Sequence, residues 1–125
     1  MPRYTCTTAH VLSSTTKAAL AAAITQTNRA VIGSPDHYVH VALHEMAEDN
    51  LYTGGKPSQS FIVVASIRAG RTDETKTRLA QEISRACSAA TQIPEAQIMV
   101  SIKETPARFV SEGGQIMPEP GEEDE

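Results

Sequence analysis

The sequence predicts an α/β (α+β) fold in which two β-α-β units are fused into a four-stranded sheet with two helices on one face. The first observation is an internal repeat, because shifting the 125-residue chain by 59 positions aligns similar residues without a gap. The aligned pairs include Lys17 and Lys76, Leu20 and Leu79, Ile24 and Ile83, Pro35 and Pro94, and Val41 and Val100. The second is that each copy holds a helical apolar pattern, a proline and an alternating apolar pattern in that order. Because crossovers between parallel strands are right-handed, both helices are expected on the same face.

The first unit covers about residues 2–46. It is predicted to begin with a strand over Tyr4 to Thr8, which are β-prone residues. A helix follows from Thr16 to about Ile32, capped by Ser13 or Ser14 and ended by Gly33-Ser34-Pro35. The next strand has Val39, Val41 and Leu43 on one side and His40, Ala42 and His44 on the other. This alternation predicts a strand with one core-facing side.

The second unit covers about residues 61–105. Its first strand, Phe61 to Ile67, is almost continuously apolar, which predicts a central strand buried on both faces. Thr72 is expected to cap a helix from Asp73 to about Thr91, and a last strand runs over Ile98 to Ile102. We expect 47–60 to be a connecting loop that can cover a site, and 106–125 to be a C-terminal segment with an acidic tail.

Composition excludes several classes of function. With 125 residues the chain fits a single domain, and its net charge of −4 provides no basic face for nucleic acid. No apolar run reaches the ~20 residues that span a bilayer, and no signal-peptide pattern is present, so we expect a cytoplasmic protein that binds no membrane. The two cysteines, Cys6 and Cys87, are expected to be buried free thiols.

The histidines do not predict a metal site. On a strand that rises about 3.3 Å per residue, His40 and His44 would lie roughly 13 Å apart, too far to bind one ion. Because the predicted sheet leaves one face without helices, and that face is expected to be apolar, further copies of the chain are expected to pack there.

Three features stand out as candidates for chemistry, and each also has an ordinary interpretation. Removal of Met1 would expose Pro2 as a secondary amine able to transfer protons, and the repeat places Phe61 opposite it. Arg68-Ala69-Gly70-Arg71 lies between a strand end and a helix start, where two guanidiniums favour a small carboxylic acid. Glu112, in a glycine-flanked segment, would be able to activate water. The alternatives are a chance proline, solvated arginines and a surface glutamate.

Taken together, Met1-Pro2, the doubled unit and Arg68-Ala69-Gly70-Arg71 resemble the tautomerase superfamily. The match is closest to its cis-3-chloroacrylic acid dehalogenase group. The resemblance continues through Ile24-Thr25, Glu104-Thr105-Pro106-Ala107 and Glu112 to Met117-Pro118-Glu119-Pro120-Gly121. It implies a homotrimer without a cofactor, in which Pro2 is the catalytic acid or base, Arg68 and Arg71 bind the substrate carboxylate, and Glu112 activates water.

Two positions depart from that dehalogenase group. Asn28 stands where the group has a histidine, and Ser101 where it has a tyrosine. Both remain candidates for substrate binding because they can form hydrogen bonds, but neither titrates near neutrality. We therefore expect a keto-enol tautomerase acting on small 2-oxo, enol or unsaturated carboxylic acids, with weak hydratase or dehalogenase activity. The alternatives are a malonate-semialdehyde-type decarboxylase of the same superfamily and a non-catalytic trimer that binds small acids or acts as a scaffold.

Overall fold

The computed structural model describes residues 1–122, so the last three residues of the predicted acidic tail lie outside the described part. The strands are β1 (Arg3–Thr8), β2 (His40–Glu45), β3 (Tyr52–Thr53), β4 (Lys56–Pro57), β5 (Phe61–Arg68), β6 (Ile98–Thr105), β7 (Ser111–Glu112) and β8 (Gln115–Ile116). The helices are α1 (Ser14–Val31) and α2 (Asp73–Thr91), and three short 3₁₀ turns cover Asp36–Tyr38, Glu95–Gln97 and Ala107–Phe109. No helix within residues 1–122 has both the length and the apolar character needed to cross a bilayer.

The main sheet confirms the predicted architecture. Its strand order is β2-β1-β5-β6, with β1 parallel to β2 and β5 parallel to β6. The two units meet at the antiparallel pair β1 and β5, in which Arg3 is opposite Ser66 and Thr8 is opposite Phe61. The residues before β1 therefore lie at the end of the sheet where β5 finishes.

Both helices begin at hydroxyl caps that the sequence indicated. Ser13 Oγ accepts a hydrogen bond from the Thr16 N–H at 3.1 Å, and Thr72 Oγ1 accepts one from the Thr75 N–H at 3.1 Å. These caps satisfy main-chain donors that have no partner inside the helix. Helix α2 has the predicted bounds, whereas α1 begins at Ser14, two residues before the predicted start at Thr16.

A single apolar core lies between the sheet and the two helices. Its fully buried members are Tyr4, Cys6, Leu20, Ile24, Phe61, Val63, Ala65, Leu79, Ile83 and Cys87. Both cysteines are free thiols, as expected. Burial raises the pKa of Cys6 to about 12 and, with a further contribution from Cys6, that of Cys87 to about 12.

The opposite face of the sheet is more exposed than predicted. Alternate residues of β5, including Ile62 and Val64, are only half-buried, because the helices cover one face alone. The expectation that this strand is buried on both faces is therefore wrong for the single chain. The open face is also less apolar than expected, since the strand register places Thr5, His40 and Lys103 on it.

The segment 47–60, expected to be a plain loop, contains a hairpin. Strands β3 and β4 pair there with Thr53 opposite Lys56, and β7 and β8 pair in the same way with Glu112 opposite Gln115. Each hairpin turns through two glycines with positive φ, 61° and 79° at Gly54-Gly55 and 59° and 85° at Gly113-Gly114, as primed turns require. The two hairpins are 59 residues apart, so the repeated unit includes a hairpin after its second strand.

Candidate active site

The candidate site is a small, nearly enclosed pocket at the end of the sheet where β5 finishes. It is lined by Met1, Pro2, Ile32, Ser34, Ile67, Arg68 and Arg71. The antiparallel pairing of β1 with β5 explains this arrangement, because it places the residues before β1 beside the last residues of β5. The structure thus brings together three of the sequence-predicted site residues, Pro2, Arg68 and Arg71.

The N-terminus is buried at one side of the pocket. Pro2 is buried, and its carbonyl accepts a hydrogen bond from the His40 N–H at 3.0 Å, which extends the β1–β2 pairing to the first residues. The terminal amine of Met1 forms an ion pair with Glu112 Oε1. Burial, and then the positive charge of Arg68, lower the pKa of this amine below its ordinary value.

The two arginines lie on the strand end and the loop before α2. Arg68 ends β5 and is 3% exposed, and its Nη1 donates a hydrogen bond to the carbonyl of Pro118. Arg71 Nη1 donates to the Arg68 carbonyl at 3.3 Å. Between them, Gly70 has φ +124°, and a Cβ there would lie 3.3 Å from the Pro120 ring. The C-terminal segment 117–122 therefore packs directly on the arginine loop.

Glu112 reaches the N-terminus from β7. Its side chain is 23% exposed, and its second oxygen, Oε2, lies 3.7 Å from Nε2 of His40. The carboxylate thus lies between the terminal amine and an imidazole that is 55% exposed. Glu112 is the fourth predicted site residue that the structure places at the N-terminus.

Asn28 lies behind the pocket and does not line it. It is fully buried on α1, where its Oδ1 accepts the Tyr4 hydroxyl at 2.7 Å and its Nδ2 donates to Ser34 Oγ at 3.0 Å. Burial raises the pKa of Tyr4, although the nearby charge of Arg71 opposes this shift. Asn28 therefore acts on the pocket through Ser34, which is one of its lining residues.

Ser101 lies away from the pocket in the single chain. It is on β6, in register with Val64, on the sheet face that the helices leave open. Only another subunit packed on that face would bring the two regions together. The structure of one chain therefore does not unite Ser101 with Pro2 and the arginines.

Sequence analysis missed two features of the site. The first is His40, which the sequence analysis weighs only as a metal ligand. The repeat places Met99 opposite His40, so a histidine without a counterpart on an exposed strand face is a signal that could have indicated it. The packing of 117–122 on the arginine loop had no comparable signal. Within residues 1–122, no group of three or more His, Cys, Asp or Glu side chains is arranged to hold a metal ion.

Similarity to known proteins agrees with this geometry. The structure of N1, a member of the cis-3-chloroacrylic acid dehalogenase family, has a TM-score of 0.91 and 27% identity, covering 96% of this chain and 86% of that one. A fused 4-OT protein, F6, described as a wild-type asymmetric trimer, has a TM-score of 0.87 and 29% identity, with coverage of 92% and 95%. Pt0534 inactivated by 2-oxo-3-pentynoate has a TM-score of 0.85 and 25% identity, with coverage of 92% and 94%.

Among curated protein sequences, none matches the chain. A sequence family described as "Putative oxalocrotonate tautomerase enzyme" matches residues 1–125. The fused pair of β-α-β units and the mixed four-stranded sheet are the same as in the fused 4-OT structures. The chain therefore belongs to this oxalocrotonate tautomerase family of the tautomerase superfamily.

Proposed function

We propose that the protein is a tautomerase that uses Pro2, after removal of Met1, as the acid or base on small 2-oxo, enol or unsaturated carboxylic acids. The observation that carries this proposal is that the N-terminal residues and both arginines line one small, nearly enclosed pocket. A proton-transfer group and carboxylate-binding groups in one pocket would together accelerate ketonisation of an enol acid.

The electrostatics of the pocket shift the terminal amine towards its unprotonated form, relative to an exposed amine. In the unprocessed chain, burial and Arg68 lower the pKa of the terminal amine. A Pro2 amine at the same place would experience the same two influences and act as the base. The reaction moves one proton: the enol hydroxyl loses its proton, the carbon-oxygen double bond forms, and the carbon next to the former enol carbon gains a proton from the prolinium.

The arginines are the proposed carboxylate anchors. Arg68 is held through Pro118, and Arg71 through the Arg68 carbonyl, so both guanidiniums have defined orientations. A planar guanidinium binds a carboxylate with two parallel hydrogen bonds, which orients the substrate as well as binding it. Ser34, positioned by Asn28, adds a hydroxyl at the pocket wall.

We also propose a weak water-adding activity, which would hydrolyse a cis-3-haloacrylate slowly. Glu112 lies at the N-terminus in a position to accept a proton from water. The activity is expected to be weak because the Asn28 amide is already bonded to Tyr4 and Ser34. Ser101 would contribute to substrate binding only from another subunit.

We further propose that the protein is a homotrimer without a cofactor that works in the cytoplasm. The trimeric state of the fused 4-OT neighbour and the open sheet face support the assembly. Two buried free thiols suit a reducing compartment. Analytical ultracentrifugation of the purified chain tests the assembly directly.

Covalent labelling and kinetics together test the proposed function. Intact-mass measurement of the cellular protein should show that Met1 is absent. The processed protein should catalyse ketonisation of phenylenolpyruvate, followed by loss of enol absorbance. Treatment with 2-oxo-3-pentynoate should abolish this activity, and peptide mapping of the treated protein should find one label, on Pro2.

The matched control is a variant whose processed chain keeps one extra residue in front of Pro2, so that the proline nitrogen is an amide. It should neither react with the reagent nor turn over the enol. Equal turnover by this variant would refute proline catalysis. Binding of the acid without turnover by the processed protein would favour the non-catalytic alternative, and release of carbon dioxide from a 3-oxo acid would favour the decarboxylase.

A further inference from the structure

Glu112 has a second partner besides the N-terminal amine. One carboxylate oxygen pairs with the amine, and the other lies 3.7 Å from Nε2 of His40. The imidazole is 55% exposed, whereas the carboxylate is 23% exposed. The three groups thus form a series that runs from the buried N-terminus through Glu112 to a histidine that reaches solvent.

The main chain fixes this arrangement. His40 is the first residue of β2, its N–H donates to the Pro2 carbonyl at 3.0 Å, and it lies opposite Arg3 in the strand register. Glu112 is brought to the same place by the β7–β8 hairpin. Both residues therefore lie on paired backbone segments near the N-terminus.

The repeat shows that the pair is confined to one end of the molecule. A shift of 59 places Met99 opposite His40, Thr53 opposite Glu112 and Phe61 opposite Pro2. None of the three counterparts titrates near neutral pH. The positions equivalent to His40 and Glu112 in the other unit therefore hold no histidine–glutamate pair.

Stoichiometry separates the two proposed reactions. Ketonisation of an enol acid releases no net proton. Hydrolysis of a 3-haloacrylate converts the acid and one water into a 3-oxo acid, a halide ion and one proton. The water loses one proton as its oxygen bonds to C3, and C2 gains one from the prolinium. When the carbon-halogen bond breaks and the carbonyl forms, the hydroxyl loses its proton, which must leave the site.

We propose that His40 acts through Glu112, without touching the substrate. It accepts this surplus proton from Glu112 and passes it to solvent. This inference rests on the proposed function, and it adds a proton exit specific to water addition. Glu112 accepts one proton from the water and, in the later step, one from the hydroxyl. It returns the first of these protons to the proline amine. The second moves to the imidazole of His40, which releases it outside the pocket. Histidine suits this task because it exchanges protons in the physiological pH range.

Several charged groups lie around the His40 imidazole. Arg3 faces it from β1, Glu112 from β7, and the terminal amine and Arg68 lie beyond that carboxylate. In the preceding 3₁₀ turn, His37 contacts the Tyr38 ring, with ring centroids 4.2 Å apart. Within residues 1–122, the carboxylate that the structure pairs with His40 is that of Glu112.

A first experiment tests the pair without relying on activity. The ring-proton signals of His40 are compared by NMR in the wild type and in Glu112→Gln. Because the carboxylate lies 3.7 Å from His40 Nε2, its loss should shift the His40 ring signals. His44, on the same strand face, is the matched control, and its signals should not shift. Unchanged His40 signals would overturn the proposed coupling.

A second experiment tests the proton exit by comparing two reactions. His40→Gln keeps a side chain with hydrogen-bonding groups but cannot titrate. The ratio of halide release from cis-3-chloroacrylate to phenylenolpyruvate ketonisation should fall about tenfold or more. His44→Gln should leave both rates unchanged. Equal loss of both reactions would overturn the relay, since it would indicate a merely structural role.

The two proposals can fail separately. If the wild type ketonises phenylenolpyruvate but releases no halide, the relay is overturned and the proposed tautomerase stands. If the wild type does neither, the proposed function fails. The NMR comparison of the wild type with Glu112→Gln would still show whether His40 and Glu112 are coupled.

Discussion

The buried Asn28 amide links Tyr4 to Ser34, and replacing Asn28 by alanine tests how much this link stabilises the fold. All three side chains are at most 4% exposed. The change would leave the Tyr4 and Ser34 hydroxyls without this partner, and each such loss costs about 1 to 2 kcal/mol of unfolding free energy. We therefore expect a loss of about 2 to 4 kcal/mol, or roughly 8 to 15 °C in melting temperature for a chain of this size.

Urea unfolding followed by circular dichroism measures this loss, at fixed protomer concentration because self-association would change the apparent stability. In a Tyr4→Phe background the tyrosine hydroxyl is already absent, so Asn28→Ala should cost about 1 kcal/mol less. Gln26→Ala, at an exposed site on the same helix, should cost less than about 0.5 kcal/mol. Equal costs at Asn28 and Gln26, or in the two Tyr4 backgrounds, would refute the reasoning.

Three further predictions concern the arginine loop and the core. Arg68→Ala should lower kcat/KM for an enol acid by about 10- to 150-fold, which corresponds to about 1.5 to 3 kcal/mol, and Arg68→Lys should lower kcat/KM less. Unchanged steady-state kinetics would reassign Arg68 to a structural role. Gly70→Ala should destabilise the fold by about 1 to 3 kcal/mol, because φ is +124° and the new Cβ would lie 3.3 Å from the Pro120 ring. Urea unfolding measures this loss, and an unchanged stability would contradict the described packing. Burial raises the pKa of Cys6 and Cys87 from an ordinary 9.0 to about 12. The unfolded state therefore binds fewer protons between pH 9 and 12, and stability should fall by up to about 1.4 kcal/mol per pH unit per thiol. Unfolding measured at pH 8 to 10 should show this slope, made shallower by Cys6→Ala, whereas a flat curve would contradict it.

Local signals in the sequence were sufficient for the helices and the main strands. The bounds of α2 coincide with the predicted helix from Asp73 to about Thr91, because a hydroxyl cap and an apolar stripe are properties of neighbouring residues. The two hairpins were missed, because strands of two residues show no periodicity. Only the spacing of Gly54-Gly55 and Gly113-Gly114 could have indicated them.

The site was predictable where it follows from strand order and not where it depends on side-chain direction. Pro2 and Arg68 meet because β1 and β5 are antiparallel neighbours. The sequence placed Asn28 on the correct helix, but its side chain bonds to Tyr4 inside the core, which only the packing reveals. His40 approaches Glu112 through contacts between distant segments, so no local pattern indicated the pair.

The antiparallel junction of β1 and β5 also determines how many active sites an assembly contains. It places Pro2 at one end of the sheet and its counterpart Phe61 at the other. Phe61 lies inside the chain and is fully buried, so that end has no terminal amine to supply. A trimer of this chain would therefore carry one terminal amine per chain at a strand end, although it contains two folded units per chain. Half of the strand-end positions therefore lack a terminal amine, and at Phe61 that position is filled by a core side chain instead.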